Sequence, residues 1–199
     1  MIATSTLKSL SLDAADSAVD EGAAFVDLRP IRDYLDVHVP GSLALLYEFG
    51  PGMASRARDC LPLDLPLVLL VDGGSDLMNA AASLRGKGFT VLGRLEGGVS
   101  EWAKAHGAPA STEVVEAAPE GATVLDVSDP GAPETDGAVT IPIEHLWTRV
   151  NELDGKGPVV ILAGRGIRAA LAVGMLERAG IDAVFWWTSA PRGTPTPSR

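Results

Sequence analysis

Short apolar runs alternate along the chain with stretches in which apolar residues recur every three or four positions. The clearest case covers residues 158–180. Its first apolar run, at 159–162, stands between Pro158 and Gly164, which predicts a strand covered on both faces, as in a parallel sheet. A helix is predicted to follow and to end at Gly180, where a C-cap favours positive φ. Its apolar positions are Ala170, Leu171, Val173, Leu176 and Ala179.

The same pattern occurs a second time, in residues 66–88, in register with 158–180. Upstream of each copy a short apolar run ends at an aspartate, Asp27 in one half and Asp126 in the other. Strands that alternate with helices predict an α/β fold, in which a central parallel sheet is flanked by helices. The repeat predicts two tandem domains of this kind.

Composition along the chain places the boundaries of these domains. The small, turn-forming residues of 105–112 predict a linker, with the boundary near residue 110. We therefore expect a first domain at 8–110 and a second at 113–188. Three prolines and no apolar periodicity in 190–199 predict a disordered tail over 189–199.

The charge of the chain argues against two classes of partner. Its 26 acidic and 16 basic residues leave a formal net charge of −10, which opposes binding to nucleic acid or to an anionic membrane. No apolar run approaches the roughly 18 residues of a membrane helix, and the first residues lack the pattern of a secretory signal. The single cysteine, Cys60, excludes an intrachain disulfide and suits a reducing compartment. These features predict a cytoplasmic protein.

The turn between the last predicted strand and helix is a candidate anion site. Backbone N–H groups converge at the N-terminus of such a helix and hold anions, and Arg165 and Arg168 add positive charge. This loop resembles the active-site loop of rhodanese-like sulfurtransferases, written C-x-x-G-x-R-S, with Gly166 and Arg168 in the matching positions. Ala163 stands where that family keeps its persulfide-forming cysteine, and Ala169 where it often keeps a serine.

Further motifs extend the resemblance over most of the first half. Asp27-Leu-Arg29 resembles the family's strand ending D-x-R, residues 38–41 resemble its G-H-I-P-G-A motif, and residues 97–102 resemble its C-terminal G-G-x-x-x-W. In the second half, residues 136–142 are a faint remnant of the second motif, and no G-G-x-x-x-W follows. The resemblance implies two tandem rhodanese-like domains, of which the second is degenerate.

The resemblance implies sulfur chemistry, yet neither loop contains the residue that performs it. A rhodanese-type sulfurtransferase carries sulfur as a cysteine persulfide, which requires a thiolate held among backbone amides and cations. Asp72 stands at the cysteine position of the first loop and Ala163 at that of the second. We therefore interpret the chain as a non-catalytic binding or regulatory module in sulfur metabolism. The alternative is a sulfurtransferase that transfers thiosulfate or persulfide sulfur through Cys60 or by an unexpected route, although a lone cysteine is more often a small buried residue.

The expected ligand site is the second loop, and its expected occupant is a small sulfur-containing anion or a protein partner. No cofactor and no metal are expected, because His38, His106 and His145 lack the spacing of metal ligands. The residues of the predicted anion-binding loop are Gly164, Arg165, Gly166, Ile167 and Arg168.

Two sets of residues in these loops have a structural interpretation beside the functional one. Asp72 either fills the amide cradle as a fixed anion or caps the helix that follows it. Arg165 and Arg168 either attract an anion, or they pair with nearby acids such as Glu144 or Asp126 or face solvent.

Outside the loops, His38 and the tryptophans are mainly expected to serve the structure. His38 is expected to make a structural hydrogen bond, and Trp102 to pack in the core. Strand alternation predicts that one residue of the pair Trp186 and Trp187 faces outward, toward an interdomain or subunit contact. A pair buried at the domain seam is the alternative.

Overall fold

Two parallel β-sheets organise the chain, one in each half. The structure, a computed structural model, describes residues 6–47, 50, 52–71, 77–133, 135–153, 157–162, 164, 166–181 and 184–187. The chain divides into two compact units between Ser111 and Thr112. None of the helices in the described ranges is both long and apolar enough to cross a membrane.

The first unit alternates strands and helices along its whole length. Its elements are β1 (Ser9–Leu10), α1 (Leu12–Asp20), β2 (Ala24–Asp27), α2 (Ile31–Asp36), β3 (Leu43–Ala44), α3 (Gly52–Cys60), β4 (Leu67–Val71), α4 (Leu77–Gly86), β5 (Val91–Glu96) and α5 (Gly98–His106).

The second unit repeats the strands with fewer helices between them. Its elements are β6 (Glu113–Val115), β7 (Thr123–Asp126), β8 (Val139–Thr140), α6 (Ile143–Arg149), a short 3-10 helix (Val150–Glu152), β9 (Val159–Leu162), α7 (Ile167–Arg178) and β10 (Val184–Trp187).

The strand order is the same in both units. The first sheet runs β1-β5-β4-β2-β3 and the second β6-β10-β9-β7-β8, so each strand of the second unit occupies the place of the strand five earlier. All strand pairs of both sheets are parallel. This confirms the predicted α/β fold, two parallel sheets flanked by helices, and matches the repeat in the sequence.

Burial of the central strands explains their composition. All four residues of β2 and all four of β9 are buried, as expected for parallel strands covered on both faces. On one side of the first sheet, buried residues of α1, the central strands and α5 form a core that includes Ala15, Phe25, Val68, Leu95 and Val99. Each large apolar side chain in such a core stabilises the fold by about 1.5–3 kcal/mol.

Helix α7 is buried more completely than its apolar stripe predicts. Eight consecutive residues, from position 169 to 176, are buried, which leaves no polar face over this stretch. Ala179, predicted as part of the stripe, is instead the exposed C-cap residue. The small side chains at 169, 170, 172 and 174 allow protein to pack around most of the helix. Gly180 has a φ of +82°, in line with the predicted helix end.

Candidate functional site

The second unit forms the predicted turn between β9 and α7. Gly164 has a φ of +52° and Gly166 a φ of +88°, in the left-handed region that favours glycine. Gly166 precedes the helix, and its carbonyl oxygen accepts the backbone N–H of Ala170 at 2.9 Å. Ala163 and Arg165 lie outside the described residues. The strand, turn and helix therefore follow one another as predicted, and Ile167 and Arg168 belong to the first turn of α7.

In the first unit the equivalent segment lies between β4 and α4. Asp72, the predicted counterpart of the family's cysteine, lies in 72–76, outside the described residues. Leu77, which lies five residues after Asp72 as Arg168 lies five after Ala163, begins α4 and is buried. An apolar, buried side chain at that position supplies neither charge nor hydrogen bonds to an anion.

Arg168 is held by two carboxylates of its own unit. Its Nη1 donates to Glu144 Oε2 at 2.9 Å, and Nη2 lies 2.7 Å from Glu144 Oε1, a bidentate arrangement. Nη2 also donates to Asp129 Oδ1. Glu144 belongs to the first turn of α6, and Asp129 follows β7. Pairing with Glu144, one of the two interpretations of Arg168, is confirmed, and the guanidinium charge is largely compensated within the protein.

The pair changes the titration of Glu144. Partial burial on its own raises the pKa of this carboxyl group, but the hydrogen bond from Arg168, a backbone hydrogen bond and the charge of Arg168 together outweigh burial. The pKa of Glu144 is therefore lowered from its ordinary value, and the carboxylate is ionised at neutral pH. An external anion that approaches Arg168 meets a negative charge already bound there.

Asp126, the other acid considered for this pairing, binds different groups. It is buried and accepts the backbone N–H of Ser128 at 2.9 Å and the hydroxyl of Thr135 at 3.3 Å. Asp129, the second partner of Arg168, was not among the acids expected from the sequence. Its position could have been inferred, because Asp129 follows β7 and α7 follows β9, and the carboxyl ends of adjacent parallel strands lie at one edge of the sheet.

In the first unit an arginine compensates the equivalent aspartate. Asp27 is fully buried and accepts Nη2 of Arg29 at 2.7 Å and Nε at 3.1 Å, together with the backbone N–H of Arg29 at 3.0 Å. The same Nη2 reaches the carbonyl oxygen of Val37 at 2.6 Å. The D-x-R motif therefore forms a buried ion pair that ties β2 to the end of α2.

Cys60 is the last residue of α3 and is only 3% exposed. Arg58, two residues earlier in the same helix, donates to the carbonyl oxygen of Lys87 at 2.7 Å. The thiol therefore lies in the packed interior and outside both strand-to-helix turns. This placement fits a small buried residue.

The histidines serve structural contacts in the first unit. Nδ1 of buried His38 lies 2.8 Å from the carbonyl oxygen of Tyr34, and the two rings stack with centroids 4.3 Å apart. The expected structural hydrogen bond of His38 is confirmed. Nε2 of His106 lies 2.9 Å from Oδ2 of Asp16, and the His106 ring stacks on the ring of Trp102. His145, in the second unit, is exposed on α6. No cluster of metal-ligating side chains occurs in the described part of the chain.

The tryptophans are packing residues to different degrees. Trp102 packs against the core of the first unit. In β10, Trp186 is buried and Trp187 is half-buried. The indole Nε1 of Trp187 donates to the carbonyl oxygen of Glu116 at 2.8 Å, so its polar edge is used within the second unit.

Comparisons with known proteins assign the class of this fold. Residues 11–105 match the model of the rhodanese-like domain. Two thiosulfate sulfurtransferases named GlpE are similar to this chain. The one from Pseudomonas savastanoi is 30% identical over 95 residues, which cover 48% of this chain and 86% of the relative. The one from Pseudomonas fluorescens is 32% identical over 112 residues, covering 54% and 94%. The chain therefore belongs to the rhodanese-like family.

A solved structure is similar over both units. SseA from Escherichia coli, described as a 3-mercaptopyruvate sulfotransferase, aligns with 93% of this chain and 100% of its own, at 17% identity and a TM-score of 0.42. The GlpE matches, by contrast, extend over about half of this chain.

Proposed function

We propose that this protein is a non-catalytic rhodanese-like binding or regulatory module in sulfur metabolism. The observation that carries the proposal is the position of its thiol. The cysteine positions of the two loops hold Asp72 and Ala163, and the single cysteine, Cys60, is buried at the end of α3. Persulfide transfer needs an accessible thiolate as carrier.

The second loop is the proposed ligand site of this module. Its two left-handed glycines allow the backbone to approach a ligand closely, and the turn opens α7, a helix of 12 residues with a favourable N-terminus for anions. A small sulfur-containing anion is the proposed ligand. It competes with Glu144 and Asp129 for Arg168, so we expect weak binding that relies mainly on the backbone. A protein partner is the other proposed occupant.

The alternative is sulfur transfer, and one observation favours it. The relatives that match the first unit at about 30% identity are named as thiosulfate sulfurtransferases. For this chain such an activity requires that Cys60 accept sulfur, and the burial of Cys60 opposes reaction with a thiosulfate ion in solution.

Intact-protein mass spectrometry after incubation with thiosulfate, combined with a thiosulfate–cyanide transfer assay, separates the two functions. We expect neither a gain of one sulfur atom nor turnover in the native chain. Sulfur uptake that cyanide removes and that is lost in Cys60→Ala, accompanied by turnover, would establish Cys60 as a carrier and overturn the proposal.

Two restored variants test what each loop retains. Ala163→Cys places a thiol in the second loop, beside Gly166 and Arg168, whereas Asp72→Cys places one in a loop without the family's arginine. If the second loop retains an anion cradle, Ala163→Cys reacts with thiosulfate faster than Asp72→Cys. Equal rates would mean that the second loop offers no special anion affinity.

A further inference from the structure

A cavity in the second unit lies between α6 and α7, away from the loop. Its volume is about 280 Å³, near the lower end of the range for small-molecule sites. Among the described residues it is lined by Leu146, Trp147, Val150, Met175, Arg178 and Ala179. Arg168 and Arg178 are ten residues apart on one helix, so about 15 Å of helix separates this cavity from the loop.

Apart from Arg178, the described side chains that line the cavity are apolar. Leu146 and Met175 are buried, and the ring of Trp147 is half-buried. An aromatic ring and aliphatic side chains favour the apolar body of a ligand.

Arg178 is the only charged residue among the described residues that line the cavity. Its guanidinium carbon lies 5.8 Å from the centroid of the Trp147 ring, at cation–π distance. Although part of the side chain is exposed, burial lowers the pKa of Arg178 from its ordinary value. The group remains a cation at neutral pH, and the partial burial removes some of its hydration.

Among the described residues, no carboxylate compensates the charge of Arg178. It makes no ion pair with any described residue, although the chain has ten more acidic than basic residues. Arg149, on the neighbouring helix, is a contrast, because its Nε and Nη2 bind Glu152 at 2.6 and 2.8 Å. A partly desolvated guanidinium without a carboxylate is a recognition group for an external one, which it binds in bidentate geometry.

We propose that the cavity between α6 and α7 binds a small organic carboxylate with an apolar, preferably aromatic, body. The carboxylate contacts Arg178, and the body packs against Trp147 and Met175. This site does not include the loop after β9, so the proposal can be tested independently of the proposed function.

The test uses the full-length chain and three probes with one ionised carboxylate each: phenylacetate, indoleacetate and hexanoate. Binding is followed by the NMR resonances of the Trp147 indole, assigned through Trp147→Phe. We expect at least one probe to shift these resonances with a dissociation constant in the millimolar range or below. Phenylacetamide, the neutral analogue of the first probe, is expected to bind at least about tenfold more weakly because it lacks the charge-assisted contacts.

Two variants assign the effect to the cation. Arg178→Gln is expected to weaken carboxylate binding about tenfold or more, and Arg149→Gln, the matched change on α6, to leave it unchanged. Retained amide spectra in both variants establish that the fold persists. Absence of a shift with all three probes up to about 10 mM would overturn the proposal, and so would equal binding of carboxylate and amide or an unaffected Arg178→Gln.

Discussion

The buried pair of Asp27 and Arg29 yields the sharpest prediction for stability. Asp27 has no exposed surface, and the side chain of Arg29 is 17% exposed. Replacing Arg29 by Met retains much of the aliphatic length of the side chain but removes the charge and the donors at Nε and Nη2. The carboxylate then keeps the backbone N–H of residue 29 and loses its cation.

The cost follows from the burial of the charge. Breaking a buried ion pair at one partner typically destabilises a protein by about 3–5 kcal/mol, because an uncompensated charge remains inside. Lys104→Ala is the matched control in the same unit, since Lys104 pairs with Glu101 at 2.6 Å on the surface, with 73% of the lysine side chain exposed. Such exposed pairs contribute about 0.3–0.5 kcal/mol.

Hydrogen exchange followed by mass spectrometry in increasing urea measures this difference within the full chain. Peptides that contain β2 and β4 report the free energy of unfolding of the first unit, and peptides that contain β7 and β9 serve as an internal reference. We expect Arg29→Met to lower the first value by about 3–5 kcal/mol. A loss no larger than that of Lys104→Ala would refute the argument.

A double variant isolates the unpaired charge as the cause. Asp27→Leu combined with Arg29→Met removes both charges, and replacement of a whole buried pair by apolar residues is often close to neutral. We expect this double variant to be more stable than Arg29→Met alone, which is a non-additive result.

Three further predictions concern other parts of the chain. The pKa of Glu144 is lowered in the folded state from the ordinary 4.5. The stabilisation that this carboxylate contributes is therefore complete above pH 4.5 and disappears as the pH falls through the folded pKa. Glu144→Gln lacks this contribution, so it should lose less stability on acidification than the native chain does. Cys60, being buried, should react with a thiol reagent only after unfolding. A Cβ at Gly93 would lie 2.5 Å from the carbonyl oxygen of Lys8, so Gly93→Ala should cost about 1–3 kcal/mol in a denaturation experiment.

Each of these predictions has a control and a contradicting result. Glu152→Gln removes an exposed carboxylate from the same unit. Its loss of stability at acidic pH should therefore resemble that of the native chain more closely than the loss in Glu144→Gln does. Rapid modification of Cys60 in the folded chain would contradict its burial. Gly86→Ala, where an added Cβ meets no atom within 4 Å, should cost less than Gly93→Ala, and equal costs would contradict the steric argument.

Local patterns in the sequence were sufficient for the fold and for the position of the loops. Apolar runs such as 159–162 and the repeated aspartates at 27 and 126 predict two parallel sheets, and the structure has two of identical strand order. These features could be predicted because strand and helix formation depends mainly on residues near one another in the chain. The absence of cysteine from residues 72–78 and 163–169 was visible in the sequence itself.

The surroundings of the side chains depended on tertiary structure. Arg168 meets Glu144, 24 residues away, and Asp129, 39 residues away. The sequence could not decide whether Arg168 binds an external anion or pairs with acids of its own chain. The packing of α6 and of the segment after β7 against α7 decides between these two possibilities. Helix α7 is also buried more completely than its predicted apolar stripe indicates. The spacing of apolar residues shows which face of a helix is buried, but it does not show how many neighbouring segments cover the other faces.

The sequence by itself determined the order of strands and helices, the repeat and the absence of a thiol from both loops, because these follow from residue type and local spacing. Only the tertiary structure decided that Arg168 is compensated by acids of its own unit, whereas Arg178 lines a cavity and pairs with no acid among the residues that the structure describes. The two arginines lie on one helix. They differ because packing brings Glu144 and Asp129 to the N-terminal end of α7, beside Arg168, and leaves a cavity beside its C-terminal end, at Arg178.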